Sequence, residues 1–510
     1  MREEVRGRTN DNELKMFKRE WRMTGFPRFV LMTLLGLSSF ASAQKWVAAP
    51  PFEGSGAGTA IQRTDGSILV QELSGPASQG GTATGNWYLF VPDENGNYST
   101  GSWHFLAPPP FLYAPLYYAS AILPDGRLIM EGGEYDFTNK NDINLGATLG
   151  INDKFTSVAP PENWGTIGDA PSVVLPNGNF MMGNCCSFQE AILNAKTMTW
   201  STTGNGKLDS NSEEGWTLLP DGDVLTIDTE IARGAELYHY KTGNWTATSS
   251  VPSPGLTTIC QVGNIPEIGP AVLRPDGTVF ATGANGHTAI YNSHTGTWTK
   301  GPTFPVENGF QFGVADGPAA LLPSGRVLVM ASGVTPCNTT GALFYSFDGT
   351  FLNGVVLPPN SGNEVSFDGR MLVLPTGNIF FTDGTQDVEI FVPAGSASSS
   401  WEPTITSFPS TVSLSKTYTL KGTQFNGLSQ GAAYGDDAQS ATNFPLVRIR
   451  NNATGHVRYA ITQNFSSGVA TGSTIVSTQF IVSGATETGP STLVVVANGI
   501  ASKAVDVDVQ

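Results

Sequence analysis

Carboxylates recur at one fixed position relative to a repeated glycine turn. Four of them stand nine residues before a turn glycine, and these are Asp169, Glu213, Asp316 and Asp368. Glu214 adjoins one of the four, and Glu267 is displaced by one position in another repeat. Carboxylates that converge on one space can bind a cation, accept hydrogen bonds from a hydroxyl-rich ligand, or act as acid and base in glycan cleavage.

The turn glycines belong to a phrase that recurs along the chain. Each copy has an apolar run, a Pro-Asp-Gly-like turn and a second apolar run, as in YYASAILPDGRLIMEGG from Tyr117 and AVLRPDGTVFATG from Ala271. Glycine takes the positive-φ position of a tight hairpin turn at no steric cost, so each copy predicts two antiparallel strands. Seven copies with a period of about 50 residues predict an all-β fold, a seven-bladed kelch-type β-propeller.

A tryptophan recurs in the second half of the repeats. It stands at Trp103, Trp200, Trp245 and Trp298. A large apolar side chain at a constant phase is typical of a core position, so we expect these residues to pack between neighbouring blades.

The geometry of a propeller predicts that the carboxylates lie at one mouth of its axial channel. The innermost strands of a propeller begin around one mouth of the axial channel, so residues at the start of these strands lie close together. The sequence predicts a ligand-binding mouth formed by Tyr117, Tyr118, Asp169, Glu213, Glu214, Trp216, Glu267, Asp316 and Asp368. The aromatic side chains suit stacking on sugar faces, and calcium suits an oxygen-only set such as Asp169, Asp316 and Asp368. The alternative is that these acids cap local turns through their own backbone.

Length and charge narrow the classes of partner. The 510 residues suffice for a propeller and a second domain, and we predict boundaries at 44–402 and 403–510. The net charge is −16, from 27 basic and 43 acidic residues. This balance excludes nucleic acid and anionic membrane surfaces as partners, because both need a basic patch. We expect a monomer that binds an extracellular glycan or another small molecule.

The first 43 residues read as a secretory signal peptide. Basic residues precede the apolar run FVLMTLLGLSSF, and the small residues ASA follow with a predicted cleavage after Ala43. The apolar run is shorter than the about 20 residues that span a bilayer. We therefore predict a secreted protein, extracellular or periplasmic, with no transmembrane anchor after cleavage.

An exported chain meets oxidising conditions, which makes its four cysteines candidates for disulfides. Cys185 and Cys186 are adjacent, and Cys260 and Cys337 lie in the connections of successive repeats. The simplest pairing is a vicinal bridge together with a Cys260–Cys337 bridge, although the small ring of a vicinal bridge is strained.

Three stretches of the C-terminal part carry a resemblance to a known family. AAYGDDAQSATNFPLVRI from Ala432, HVRYAITQNFSSGVATG from His456 and TLVVVANGIAS from Thr492 resemble the early-set, immunoglobulin-like domain of the galactose oxidase and glyoxal oxidase family. Members of that family are secreted kelch propellers followed by this domain. The resemblance therefore implies a β-sandwich after the propeller.

The family's activity depends on a copper ion and a tyrosine radical. Its ligands are two tyrosines and a histidine from the propeller and a histidine from a C-terminal loop, and one tyrosine is cross-linked to a cysteine. By position, Tyr117 matches the cross-linked tyrosine. Ala57, Phe367, Asp368 and Gln463, with Asn464 beside it, stand where the other groups are expected. Since alanine and phenylalanine supply no ligand, copper is not expected here.

Two classes of function follow from the sequence. The first is a non-catalytic secreted protein that binds a glycan or another extracellular ligand at the channel mouth, with calcium as the one candidate ion. The alternative is an enzyme. It would be a copper radical oxidase acting on sugar alcohols or aldehydes, or a glycan-cleaving enzyme with paired carboxylates such as Glu214 and Asp316.

Overall fold

The computed structural model describes residues 44–510 apart from 110, 137, 139–141, 260–265, 336, 360, 362–363 and 436–439. The predicted signal peptide and Cys260 lie outside the described residues. Within the described part, no helix is long and apolar enough to cross a membrane.

The repeated phrase folds as a hairpin for reasons visible in its turn. In the copy at 119–131, the Gly126 N–H donates to the Leu123 carbonyl at 2.8 Å, and Gly126 has a φ of 88°. The Asp125 carboxylate accepts the Arg127 N–H at 3.1 Å. Proline thus starts a turn of the common type, aspartate braces it, and glycine takes the left-handed position that joins it to the next strand.

Six such units form separate four-stranded antiparallel sheets, or blades. The first strand of the described chain is β1 (Lys45–Ala48). The first blade contains β2 (Gly56–Gln62), β3 (Ile68–Leu73), β4 (Ala83–Val91) and β5 (Ser102–Leu106), and the second contains β6 (Ala119–Ile122), β7 (Leu128–Glu131), β8 (Gly146–Leu149) and β9 (Phe155–Val158). The third contains β10 (Ser172–Val174), β11 (Phe180–Gly183), β12 (Glu190–Asn194) and β13 (Thr199–Thr203). The next are β14 (Thr217–Leu218), β15 (Val224–Thr226), β16 (Glu236–His239) and β17 (Asn244–Ala247); then, after the short pair β18 (Thr258–Ile259) and β19 (Pro266–Glu267), β20 (Ala271–Leu273), β21 (Thr278–Thr282), β22 (Thr288–Asn292) and β23 (Thr297–Lys300).

The following repeat is part of a larger sheet. Its hairpin strands are β26 (Ala319–Leu321) and β27 (Val327–Gly333), continued outward by β28 (Thr339–Phe347) and β29 (Leu352–Val355). β24 (Val306–Glu307) and β25 (Phe310–Gly313) join β27, and β36 (Ala432–Ala433) pairs with β26, which makes seven strands. The structure therefore has six separate four-stranded blades and not the predicted seven, because strands from other segments extend the remaining repeat.

The last blade closes the ring. It contains β30 (Arg370–Val373), β31 (Ile379–Thr382) and β32 (Glu389–Val392), and its outer strand is β1. β1 pairs antiparallel with β32, with Lys45 opposite Val392. The two ends of the ring are thus held together by a strand from the beginning of the described chain. Three short 3₁₀ helices complete the ring, at Ala77–Gln79, Ser366–Asp368 and Ser399–Trp401.

The remaining strands form one continuous nine-stranded sheet, the C-terminal sheet. Its strands are β33 (Thr404–Ser407), β34 (Thr411–Val412), β35 (Thr417–Thr423), β37 (Leu446–Asn451), β38 (Val457–Gln463), β39 (Val476–Ile481), β40 (Gly489–Ala497), β41 (Ile500–Ala501) and β42 (Val505–Val509). The sheet curls around its own apolar core, which includes Phe425, Phe480 and Val495. The all-β class is confirmed, while the immunoglobulin-like assignment and the boundary at residue 403 stay predictions.

The C-terminal sheet packs on the end of the ring that carries the hairpin turns, here called the turn face. The Phe465 N–H donates to the Pro124 carbonyl at 3.1 Å, and the Val457 N–H donates to the Glu94 carbonyl at 2.7 Å. One buried apolar cluster contains Ile61 and Ile122 from the ring together with Phe444 from the C-terminal part. The two parts therefore share a core and should unfold together.

The recurring tryptophans lie between blades, as predicted. The indole N–H of Trp200 donates to the Ala159 carbonyl of the preceding blade at 2.8 Å, and that of Trp245 donates to Glu190 at 2.7 Å. Trp298 donates in the same way to Thr248 at 3.2 Å. Each of these three residues thus joins an outer strand to the blade before it.

The shared core predicts that a cavity on the turn face destabilises the whole protein. Phe444 is 3% exposed and stacks on Phe465 with 5.8 Å between the ring centroids. We expect Phe444→Ala to lower the free energy of unfolding by about 3–5 kcal/mol in a denaturant titration. Phe351→Ala is the control, since Phe351 is 64% exposed, and it should change the value by less than about 0.5 kcal/mol. Equal effects of the two substitutions would contradict a shared core.

Candidate functional site

The end of the ring opposite the turn face has a cavity, here called the mouth. It has a volume of about 380 Å³ and lies where the innermost strands begin. Its wall includes the carboxylates Glu134, Asp169, Glu213, Glu267 and Asp316 and the aromatic residues Tyr117, Tyr135, Phe367 and Tyr434. Acidic and aromatic side chains from at least five repeats thus meet in one space.

The structure divides the predicted site residues into two groups. Five of them line the mouth, namely Tyr117, Asp169, Glu213, Glu267 and Asp316. Tyr118, Glu214 and Trp216 do not, because they are fully buried in the ring with exposures of 1%, 0% and 2%. Their side chains pack inside the ring and do not line the mouth.

Asp368 lies at the edge of the mouth and is held by a neighbouring loop. Its carboxylate accepts the backbone N–H of Ser78 at 2.9 Å and the hydroxyl of the same serine. Burial raises the pKa of Asp368, and these two hydrogen bonds partly oppose that rise. The Asp368 carboxylate thus braces a loop that is distant in sequence, and in these two hydrogen bonds it does not cap a turn through its own backbone.

Three carboxylates form the tightest group in the mouth. One oxygen atom from each of Glu213, Glu267 and Asp316 lies within 4.8 Å of the other two. Asp169 and Asp368, the predicted calcium ligands besides Asp316, are not part of this group. Burial raises the pKa of Glu267, and a hydrogen bond with the Asp316 carboxyl group opposes the rise. Two carboxyl groups in such contact share one proton when no cation is near.

The backbone is strained at the residues that face the mouth. Tyr117, Glu213 and Asp316 have φ values of 54°, 55° and 58°, in the left-handed region that side chains other than glycine seldom adopt. All three stand nine residues before their turn glycine. Each such residue costs about 1–3 kcal/mol, a cost that is typical of binding and catalytic sites. The strain directs these three side chains into the cavity.

A buried arginine organises the aromatic wall. The Arg370 guanidinium lies 3.9 Å from the ring centroid of Tyr434 and 5.3 Å from that of Tyr117. It donates to the carbonyls of Phe367 and Gly369 at 2.6 and 2.8 Å. The two tyrosine rings are nearly parallel, at 25°, with centroids 6.4 Å apart. This cation–π arrangement fixes the orientation of both rings beside the carboxylates.

Sequence reasoning missed Glu134, Tyr135, Arg370 and Tyr434. Glu134 and Tyr135 follow the second strand of a hairpin and not the start of the first. Arg370 stands two residues after Asp368, and this spacing was the only available signal. Tyr434 comes from the C-terminal part of the chain, which no repeat period connects to the mouth.

The C-terminal segment that reaches the mouth differs from the one predicted. The hydroxyl of Tyr434 donates to the Phe367 carbonyl at 2.7 Å, and β36, just before Tyr434, pairs with the innermost strand β26. Gln463 ends β38, and Asn464 lines a cavity with Pro124 on the turn face. Neither Gln463 nor Asn464 lines the mouth.

The chain has five histidines, all among the described residues, and none lines the mouth. His239 contacts Asp223 at 2.5 Å, His456 contacts Glu487 at 2.7 Å and His104 contacts Ser102 at 3.1 Å, all on outer strands or in the C-terminal sheet. Ala57 lies fully buried in β2. Among the described residues, the titratable ligand atoms of the mouth are thus carboxylate and phenol oxygens.

The cysteines only partly follow the predicted pairing. Cys185 and Cys186 are free thiols with 2.7 Å between their sulfur atoms, so the vicinal bridge, which would need about 2.05 Å, is not formed. Cys337 is disulfide-bonded, and its predicted partner Cys260 lies outside the described residues. The strain of a vicinal ring explains why two adjacent thiols remain.

The adjacent thiols predict one selectively reactive cysteine. A hydrogen bond from Cys185 lowers the pKa of the exposed Cys186 thiol to about 7, whereas burial and the same contact raise that of Cys185. The alkylation rate of native protein should rise with pH through about 7, since the thiolate is the nucleophile. Mass spectrometry should locate the label on Cys186, and Cys186→Ser should abolish the fast phase. No free thiol in the unreduced, denatured protein would show instead that the vicinal bridge forms.

No family model matches the sequence, and no curated protein matches it either. Among solved structures, the chain is similar to a fungal alcohol oxidase of the AA5 family in complex with copper, with 13% identity, a TM-score of 0.48 and coverage of 91% of this chain and 98% of that one. It is also similar to a streptogramin B lyase, with 11% identity, a TM-score of 0.46 and coverage of 68% and 97%. A third similar structure is the WD40 β-propeller domain of Doa1, with 12% identity, a TM-score of 0.42 and coverage of 68% and 97%.

Proposed function

We propose that the protein is a secreted, galactose oxidase-like propeller that binds calcium at the mouth and, with it, a hydroxyl-rich ligand such as a glycan. The observation that carries the proposal is the group of Glu213, Glu267 and Asp316, whose oxygens lie within 4.8 Å of one another in a cavity walled by tyrosines. Binding requires no further chemistry, so the protein is non-catalytic in this proposal.

Electrostatics favours a cation in this group. Two full negative charges 4.8 Å apart repel by about 3 kcal/mol at an effective dielectric constant of 20, and three charges make three such pairs. Either protons or a cation must offset this repulsion. Calcium binds oxygens at about 2.3–2.6 Å, so oxygens within 4.8 Å of one another can all contact one ion.

The rest of the mouth suits a sugar. A volume of about 380 Å³ is within the range of small-molecule sites. Tyr117, Tyr135 and Tyr434 provide ring faces and edges, while Asp169 and Glu134 provide acceptors for hydroxyl groups. A sugar with neighbouring hydroxyls can complete the coordination of calcium, because a rim of three carboxylates leaves positions open among the six to eight that the ion takes.

Copper does not fit this set of donors. Phe367 supplies no ligand atom, Ala57 is an alanine inside β2, and no histidine lines the cavity among the described residues. All five histidines of the sequence are among the described residues. Copper in proteins favours imidazole and thiolate ligands, so the oxygen-rich mouth suits a harder ion.

Glycan cleavage is the second candidate, and one observation favours it. The carboxyl groups of Glu267 and Asp316 are hydrogen-bonded to each other beside that of Glu213, with one oxygen of each within 4.8 Å of the others. A proton held between Glu267 and Asp316 would supply a carboxylic acid next to a carboxylate, and retaining glycosidases use a pair of carboxyl groups about 5 Å apart. Glu214, which the sequence suggested as the partner of Asp316 in glycan cleavage, cannot take part because it is fully buried away from the mouth.

The calcium proposal predicts a titration that depends on the mouth carboxylates. We expect isothermal titration calorimetry on the folded protein to detect one calcium ion that binds rapidly. Free calcium at about 100 times the Kd should raise the free energy of unfolding by about 2.7 kcal/mol. The variant Glu213→Gln/Glu267→Gln/Asp316→Asn should bind none in this titration. In chelator it should melt above the parent, because the repulsion is removed. Asp276→Asn, in an exposed turn, is the matched control and should bind as the parent does. Superimposable melting curves of the parent in calcium and in chelator would leave the proposal without support.

The glycan proposal predicts calcium-dependent binding without turnover. On a glycan array, the purified protein should bind specific glycans in calcium and lose them in chelator, and the triple variant should not bind. The bound glycan should be recovered intact, with no peroxide formed. Newly released reducing ends would favour the cleavage alternative, and peroxide release with bound copper would favour the oxidase alternative.

A further inference from the structure

A second carboxylate group lies inside the ring, away from the mouth. One oxygen from each of Asp209, Glu214 and Asp228 lies within 4.8 Å of the other two. Their exposures are 2%, 0% and 3%, so the group is closed to solvent. We call it the interior group. It shares no residue with the mouth, although Glu214 directly follows Glu213 in the chain.

Two oxygens of the interior group have no hydrogen-bond partner. They are Oε1 of Glu214 and Oδ1 of Asp228. The other oxygen of Glu214 accepts the Thr226 hydroxyl at 3.0 Å and contacts the Lys207 ammonium at 2.8 Å. Buried carboxylate oxygens rarely remain unpaired, because desolvation without a partner is costly. These atoms indicate a ligand.

Charge around the group is unbalanced. The Lys207 ammonium lies 3.2 Å from Glu236 as well as 2.8 Å from Glu214, and the carboxylate of Glu190 is a further neighbour of the lysine. One ammonium therefore faces five buried carboxyl groups, those of Asp209, Glu214, Asp228, Glu236 and Glu190. One positive charge does not balance five ionised carboxyl groups, so a cation or bound protons must offset the excess negative charge.

Three of the five carboxyl groups already have structural tasks. Glu236 accepts the backbone N–H of Leu208 at 2.9 Å and that of Asp209 at 3.3 Å. Glu190 accepts the indole N–H of Trp245 at 2.7 Å, and Asp209 accepts the backbone N–H groups of the residues at 210 and 230 at 3.0 Å each. Glu190 keeps one unpaired oxygen as well, but it is not among the three residues whose oxygens lie within 4.8 Å of one another. Within the interior group, the unpaired oxygens of Glu214 and Asp228 are therefore the ones with capacity left for a ligand.

We propose that Asp209, Glu214 and Asp228 bind a divalent cation of the hard, oxygen-preferring class, with calcium as the ion that fits. Three oxygens within 4.8 Å of one another can all contact one calcium ion, which binds oxygens at about 2.3–2.6 Å. The bound cation would give both unpartnered oxygens a partner. It would also offset the negative charge that the single ammonium of Lys207 does not balance. It is a structural ion that the chain takes up as it folds, because no path to solvent serves a site with these exposures.

The competing explanation is that Lys207 and bound protons neutralise the group unaided. The two explanations differ in what the native protein retains. A closed site holds its ion through dialysis, whereas the mouth exchanges calcium with solvent. Calcium that is retained after dialysis therefore reports on the interior group, and calcium that binds during a titration reports on the mouth.

The test measures calcium in native protein by elemental analysis. The full chain is refolded in calcium and dialysed against metal-free buffer until the mouth is empty. We expect about one calcium per chain to remain in the parent, in the mouth variant Glu213→Gln/Glu267→Gln/Asp316→Asn and in the control Asp221→Asn, which changes an exposed turn of the same blade. Asp228→Asn should retain none. A parent that retains no calcium, or Asp228→Asn that retains as much as the parent, would overturn the proposal.

A second measurement covers the case in which Asp228→Asn fails to fold. Lys207 lies 5.0 Å over the Trp245 ring, and Trp216 lies 5.8 Å from Trp245, so an ion in the interior group is close to two indoles. Refolding the parent with Tb³⁺ alone should give luminescence excited through tryptophan that survives dialysis. Trp245→Phe should weaken it several-fold, and the mouth variant should keep it. Absence of this signal in refolded parent protein would count against the interior site while leaving the mouth titration unaffected.

Discussion

Closure of the ring by β1 is the interaction on which the rest of the structure depends. The last blade has only three strands from its own repeat, and β1 supplies the fourth through an antiparallel ladder from Lys45 to Ala48. Trp46 in that strand packs against Phe344, Phe381 and Phe391 with centroids 5.0–5.6 Å apart. Without this pairing, β32 would present an unpaired edge. A closed ring also forces every innermost strand to begin around the same axis, and this brings carboxylates from separate repeats into contact.

Much of this arrangement could be predicted from the sequence because it follows from local chemistry. The Pro-Asp-Gly turns specified the hairpins, the phased tryptophans specified the contacts between blades, and the position nine residues before the glycine specified Asp169, Glu213 and Asp316 at the mouth. The prediction of site residues failed where residues close together in sequence point their side chains in different directions. Tyr118, Glu214 and Trp216 lie close in sequence to residues that face the mouth, yet their side chains are buried inside the ring. It also failed where distant segments meet, since Tyr434 and the strand β36 come from outside the repeats.

The number of blades illustrates the same limit. Each repeat has the turn that nucleates a hairpin, but the edges of a sheet are open to any strand that reaches them. β36 pairs with the innermost strand of the sixth phrase, and β25 pairs with β27, so one repeat becomes part of a seven-stranded sheet. Both additions depend on tertiary contacts. A count of phrases therefore predicts hairpins more securely than it predicts separate sheets.

The backbone between Glu213 and Glu214 connects the two acidic groups of the molecule. The left-handed φ of 55° at Glu213 turns its side chain to the mouth, and the following carboxylate then points into the ring. An ion on Glu214 would restrain the backbone torsions that place Glu213, since the two side chains leave adjacent Cα atoms. The strain at Glu213 would be stabilised from the interior side before any ligand reaches the mouth. Preorganisation of this kind reduces the conformational entropy that binding must otherwise remove. A buried structural ion next to an exposed site is thus a physical means of keeping a strained binding residue in place.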